Sequence, residues 1–130
     1  MITNNLKIMT NQKQFGVWMD THHATIIGKE NAEAENFTVL AHVKGEETTA
    51  NSSEKTENNH ARMVEAKFFK EILSHMQNAT IIHLTGTGVS QEKFMHYLAE
   101  TPQFKNTKTE ESTSNKMSDE KLVEFIAGKF

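Results

Sequence analysis

The stretch Thr80-Ile-Ile-His-Leu-Thr-Gly-Thr-Gly-Val89 constrains the fold more than any other part of the chain. Thr80 to Leu84 is β-branched and apolar, with His83 as its one interruption. A short apolar run ended by glycine reads as a central strand. Gly86 and Gly88 permit a positive φ or a close approach of two backbones. Ser90 then reads as a helix cap, with Gln91 and Glu92 in the first turn, where a carboxylate complements the helix dipole. A strand–turn–helix unit with helical pattern on both sides points to an α/β layer fold.

The flanking segments supply the other layers. Lys13 to Asp20 alternates, with Phe15, Val17 and Met19 on one face and Gly16 and Trp18 on the other. Asp20-Thr-His-His23 reads as a turn and Ala24 to Lys29 as a second strand, so the pair forms a hairpin. Asn36 to Val43 reads as a third strand, with Phe37, Val39, Ala41 and Val43 sharing a face. Lys44 to Asn59 carries almost no apolar residue and reads as a long solvated loop. From His60 to Gln77, Ala61, Val64, Phe68, Ile72 and Met76 recur at helical spacing, with Asn59 as the expected cap. Gln91 to Glu100 reads as a second helix, stopped at Thr101-Pro102. Phe104 to Ser112 reads as an edge strand. Ser118 reads as the cap of a last helix, Asp119 to Ala127, with Gly128 at its end. The order β-β-β-α-β-α-β-α predicts an α/β fold: a ribonuclease H-like mixed five-stranded sheet covered by helices.

Composition narrows the function classes. A chain of 130 residues fits one domain, here 13–130, behind a loose leader at 1–12. With no cysteine there is no disulfide framework, thiolate nucleophile or cysteine–zinc site. No run is long and apolar enough for a membrane span, and residues 1–14 lack the pattern of a secretion signal. A cytoplasmic protein without a membrane partner is the expectation. Net charge is −3 and Arg62 is the sole arginine, so the bulk signature of a dedicated nucleic-acid binder is missing. A local lysine patch stays open, because net charge does not report distribution.

Two segments carry a family resemblance. Phe15-Gly-Val-Trp-Met-Asp-Thr-His-His-Ala-Thr-Ile-Ile27 resembles the opening of the central domain of the class-1 release factor and Pelota family: an apolar strand ending in Asp, a short polar turn, then Ala and another apolar strand. Ile81-Ile-His-Leu-Thr-Gly-Thr-Gly-Val-Ser-Gln-Glu-Lys-Phe94 is similar to that domain's strand, Gly-x-Gly turn and Lys-x-Phe-bearing helix. Small single-domain bacterial proteins of this type are grouped as translational-machinery-like. In release factors, the loop between the third strand and the long helix carries Gly-Gly-Gln, which triggers peptidyl-tRNA hydrolysis. Here that loop, Lys44 to Asn59, holds only Gly45 and no glutamine. Release activity is therefore not carried over. Pelota, the ribosome-rescue relative, also lacks the triplet, so the resemblance implies ribosome binding without hydrolysis.

The chemistry-bearing residues have readings of their own. Asp20, His22 and His23 form an Asp-x-His-His cluster with metal-compatible donors, but residues adjacent in a strand point to opposite faces, and polar turn positions are the plainer account. Two-metal nuclease chemistry needs several converging carboxylates. Asp20 and Glu65 are two, and the central strand offers no third. Gly86, Thr87, Gly88 and Ser90, ahead of a helix start, could hold an anion or form only a tight turn. His83 reads as a hydrogen-bonded core histidine. Lys44, Gly45, Lys55, His60, Arg62, Lys67 and Lys70 are the candidate contacts for phosphate or protein. The leading expectation is a non-catalytic, translation-associated binding module with no cofactor. Its partner would be the ribosome, its RNA or a translation factor. A metal-dependent hydrolase or nuclease using Asp20 and the nearby histidines, and an interaction domain outside translation, stand as alternatives.

Overall fold

The computed structural model describes residues 13–31, 34–45 and 54–130, with side chains from Ala61 onward in the last span. The leader at 1–12 lies outside the described residues, as does 46–53 of the segment after the third strand. The elements are β1 (Gln14–Met19), β2 (His23–Gly28), β3 (Thr38–Lys44), α1 (Glu54–Ser74), β4 (Ile81–Gly86), α2 (Val89–Glu100), a 3-10 turn at Pro102–Phe104, β5 (Lys108–Thr113) and α3 (Asp119–Ala127). The sheet order is β3-β2-β1-β4-β5. β1 pairs antiparallel with β2 and β2 with β3, while β4 runs parallel to both β1 and β5. This is the mixed five-stranded α/β sheet that the element order predicts.

Strand alternation divides the apolar residues between two faces. Phe15, Val17 and Met19 of β1 join Ala24 and Ile26 of β2 and Ile82 and Leu84 of β4 beneath α1 and α2. The two helices contribute Phe68, Phe69, Ile72, Leu73, Phe94 and Leu98. On the other face Trp18 and Ile27 pack with Leu122 and Ile126 of α3.

β3 departs from the expected alternation. Ile26 pairs with Ala41, but the next residue, Ile27, pairs with Val39, which leaves Leu40 as an extra residue. A bulge of this kind switches the faces beyond it. Phe37 and Val39 therefore pack on the α3 side, and Leu40, Ala41 and Val43 on the α1–α2 side. The four residues expected to share a face do not.

The helix starts also shift. α1 begins at Glu54 rather than His60, so Asn59 is an interior residue and the long solvated loop is shorter than predicted. Residues 54–60 are polar and show no apolar stripe, so their sequence carries no helical pattern to read. The far end stops at Ser74, three residues early, and Asn78 turns the chain toward β4 at a φ of 62°. α2 begins at Val89 with Gly88 as its cap at a φ of 132°, so Ser90 lies inside the helix and is not its cap. Ser118 caps α3 as predicted, its hydroxyl accepting from the Lys121 amide.

Gly86 is the tightest point in the sheet. It sits opposite Met19, and a Cβ there would overlap the Met19 carbonyl oxygen. Gly128 contrasts with it, since a Cβ there would meet only ordinary contacts at 3.4 and 3.5 Å. We expect Gly86→Ala to destabilise the chain by ~3 kcal/mol in urea denaturation, at the upper end for overpacking, because backbone blocks the new atom. Gly128→Ala should stay within ~0.5 kcal/mol of wild type.

Candidate functional site

The carboxyl ends of β1 and β4, the neighbouring parallel strands, gather most of the candidate residues at one edge of the sheet. β1 runs into the turn Asp20-Thr-His-His23. One Asp20 oxygen, Oδ1, accepts from the His22 amide at 2.9 Å and from the His23 amide at 2.6 Å. The His23 ring nitrogen Nδ1 lies 3.4 Å from the same oxygen. Partial burial pushes the Asp20 carboxyl up, but the two amides and His23 outweigh it and hold the group below its ordinary value of 3.8. This is the geometry of a carboxylate that closes its own turn. His22, meanwhile, uses its carbonyl to accept from the Gly45 amide at 2.7 Å, which ties the end of β3 to the hairpin.

The Gly86-Thr-Gly88 turn is organised by Gln91, a residue whose sequence context marks only a helix start. Its side chain is fully buried. The Gln91 Oε1 accepts from the Gly88 amide at 2.9 Å. The Nε2 donates to the Gly86 carbonyl at 3.4 Å and the Ser112 carbonyl at 3.2 Å. One buried amide thus joins β4, the turn and β5. The readable signal is its place at the third helical position, where Gln reaches back to the cap. Ser90, also buried, lies 3.4 Å from the Thr21 hydroxyl, so the turn and the β1–β2 hairpin touch. Of the expected anion site, the Gly88 amide and the Ser90 hydroxyl have these internal partners.

His83 is 4% exposed, and its Nε2 lies 2.8 Å from the Ser112 hydroxyl, consistent with the predicted core histidine. The Ser112 hydroxyl donates to Thr85 at 2.9 Å, and Thr85 lies 2.6 Å from Ser114. Burial, reinforced by Lys129 and opposed by Glu110, holds the His83 imidazole below its ordinary 6.5. Its Nδ1 and the Trp18 Nε1 are buried without a partner among the described residues.

The cationic candidates fall in two places. Lys44 is exposed at the end of β3, opposite His23. Gly45 follows it, buried, and a Cβ there would lie 3.2 Å from Phe68. Phe68 is the first buried residue of α1 among those described, so the helix meets the sheet level with its edge. Among the described side chains before Phe68, Ala61 to Lys67, none is buried. Arg62, Met63 and Lys67 are exposed there, and Lys70 is exposed one turn into the packed half. Met63, Lys67 and Lys70, at i, i+4 and i+7, form one outward stripe, and Met63 is 70% exposed. Glu65 is held by Lys93 of α2 at 3.6 Å. Lys55 and His60 lie in the first turns of α1, where side chains fall outside the described residues. Among the described residues no group of three or more His, Asp and Glu is placed to hold a metal ion, and no helix is long and apolar enough to cross a membrane.

This geometry has counterparts among solved structures. The Pelota protein of Thermoplasma acidophilum superposes with a TM-score of 0.58 over 96% of this chain and 36% of its own, at 19% identity. Pelota of Archaeoglobus fulgidus gives 0.54 over 98% of this chain and 37% of its own, at 12% identity. An archaeal translation termination factor gives 0.51 over 98% of this chain and 38% of its own, at 15% identity. The chain therefore spans a little over a third of the length of these proteins. No family model and no curated protein matches the sequence. The mixed five-stranded sheet with helices on both faces is the fold of the Pelota central domain.

If Asp20 serves to close the hairpin, Asp20→Ala should lower stability by ~1–2 kcal/mol at neutral pH, since two amides lose a charged acceptor. The folded carboxyl titrates below 3.8, so its contribution is complete above that value and declines as pH falls toward the lower folded value. Denaturation of wild type and variant should accordingly converge at the acid end of that window.

Proposed function

We propose that this chain is a non-catalytic binding module of the translation machinery, contacting ribosomal RNA or a translation factor through the outer half of α1 and the segment leading into it. The observation that carries this reading is the likeness to Pelota and to an archaeal translation termination factor across nearly the whole chain. The segment between β3 and α1 contains no Gly-Gly-Gln, which favours binding over hydrolysis. Its position adds support. It connects the sheet edge at Lys44-Gly45 to the start of a helix about 10 Å longer than the strands it covers, a shape suited to reaching a partner. The stripe Met63, Lys67 and Lys70, flanked by Arg62, offers cations for phosphate and an apolar contact beside them. The turn at Asp20, His22 and His23 serves in this reading as scaffold for that edge.

Sucrose-gradient sedimentation of the tagged chain in native lysate, at low and moderate salt, tests the proposal. Migration with a ribosomal subunit, weakened as salt rises, is the expected outcome. Arg62→Ala, Lys67→Ala and Lys70→Ala should each weaken association and make the salt slope shallower by about one for every phosphate left unneutralised. A chain that stays at the top of the gradient in growing and starved cells alike would sink the translation reading.

A further inference from the structure

A cavity lies on the sheet face opposite α1 and α2, between β1–β3 and the start of α3. We propose that it binds a small anion joined to a flat apolar body, the chemistry of an aryl carboxylate or aryl sulfonate. Its volume is about 390 Å³, within the span of small-ligand sites. The lining is of two kinds. Trp18, Met117 and Leu122 give it an apolar floor, with Trp18 only 3% exposed at its base. Around that floor stand His23, His42, Lys44 and Lys116, with Asp119 the one carboxylate.

The charges do not cancel. Asp119 is hydrogen-bonded to His42, whose Nε2 lies 2.9 Å from its Oδ2, and is a single carboxylate against two lysines. His23 faces Asp20, which is itself committed to the hairpin turn. That leaves the ammonium groups of Lys44 and Lys116, neither in an ion pair among the described residues, opening on one apolar-floored cavity. Two cations against low-dielectric walls raise the local potential and select an anion. An apolar floor with a cationic rim discriminates against bare inorganic anions, which gain nothing from the floor, and against neutral aromatics, which gain nothing from the rim. The cavity shares no wall with the outer half of α1 and meets the segment leading into it only at Lys44, so Lys116→Ala separates this inference from the translation reading.

The test is a titration of the full chain with anilinonaphthalene sulfonate, a flat apolar body carrying one anion, alongside its uncharged parent phenylnaphthylamine. Trp18 is the sole tryptophan, so quenching of protein emission reports on the cavity floor. The expected result is saturable one-to-one binding of the sulfonate with tryptophan quenching, and weaker binding of the neutral parent. Lys44→Ala and Lys116→Ala should each raise the dissociation constant of the sulfonate about three- to ten-fold, while leaving that of the neutral compound unchanged. Lys105→Ala, outside the cavity lining, should match wild type for both. All the lysines involved are exposed, so the variants are expected to fold, with circular dichroism as the check. No saturable binding, or a sulfonate affinity indifferent to both lysines, overturns the proposal.

Discussion

The parallel pairing of β1 with β4 depends on an absent side chain. At the carboxyl end of the pair the Met19 carbonyl occupies the space where a Cβ on residue 86 would sit. With glycine there, β4 runs in register beside β1 through six consecutive partners. β1 is then central, with an antiparallel hairpin on one side and a parallel ladder on the other. Gln91 secures the same point from the helix side. It accepts from the Gly88 amide and donates to carbonyls of Gly86 and Ser112, so the strand, its turn and β5 share one buried amide. Removing it would take the acceptor from the Gly88 amide, whereas the Gly86 carbonyl would still accept from the Ser114 amide at 2.7 Å.

That junction decides where α1 goes. A helix antiparallel to β4 must end near the start of β4 and begin beyond its carboxyl edge, and α1 is longer than the strands it covers. Six strand residues span ~20 Å, whereas 21 helical residues span ~30 Å. The excess cannot pack on the sheet. It remains helical because the packed half from Phe68 onward supplies the nucleus, which is the unfavourable step, and the outer half adds turns by propagation. Ala61, Arg62, Met63, Glu65, Ala66 and Lys67 suit this role, being good helix formers that need no core.

How much of this is readable in the sequence follows from what each signal reports. Periodicity reports burial. Phe68, Phe69, Ile72, Leu73 and Met76 all reach the core, so the packed half of α1 is legible. The polar turns from Glu54 to His60 carry no such pattern and resemble loop. In β1 strict alternation places Phe15, Val17 and Met19 correctly against Trp18. In β3 the same rule fails at Leu40, because a bulge depends on the partner strand and leaves no mark in an apolar run. The start of α2 differs from expectation because Ser90 looks like a cap, while the capping position falls to a glycine whose φ of 132° suits it. Among the candidate sites, the sequence locates the Asp20 turn but not its use. Only the geometry shows that carboxylate accepting from the amides of His22 and His23. The cavity is not legible at all, since Trp18, His42, Lys44 and Lys116 come together only through the sheet order and the placement of α3.

The two faces of the sheet are covered unequally, and this explains why a cavity exists where it does. One face carries α1 and α2 with a wide apolar cluster, including the aromatic contacts of Phe69 with Phe94 at 5.1 Å and with Tyr97 at 5.4 Å. The other carries only α3, whose nine residues span about 14 Å against strands of ~20 Å. Its two fully buried side chains, Leu122 and Ile126, cover the middle of that face. Beyond its carboxyl end, Phe130 stacks on Phe37 at 5.6 Å, and the Lys29 ammonium lies 5.2 Å from the Phe37 ring, which closes that side. At its amino end the polar bridge to the sheet is the His42–Asp119 pair, exposed and so weakly stabilising. Trp18 itself is covered, at 3% exposed among Leu122, Ile126 and Met117, and the opening lies beside it, along His23, His42, Lys44 and Lys116. A short helix anchored firmly at one end and by a surface pair at the other leaves its open end as the place where a small molecule can enter the fold.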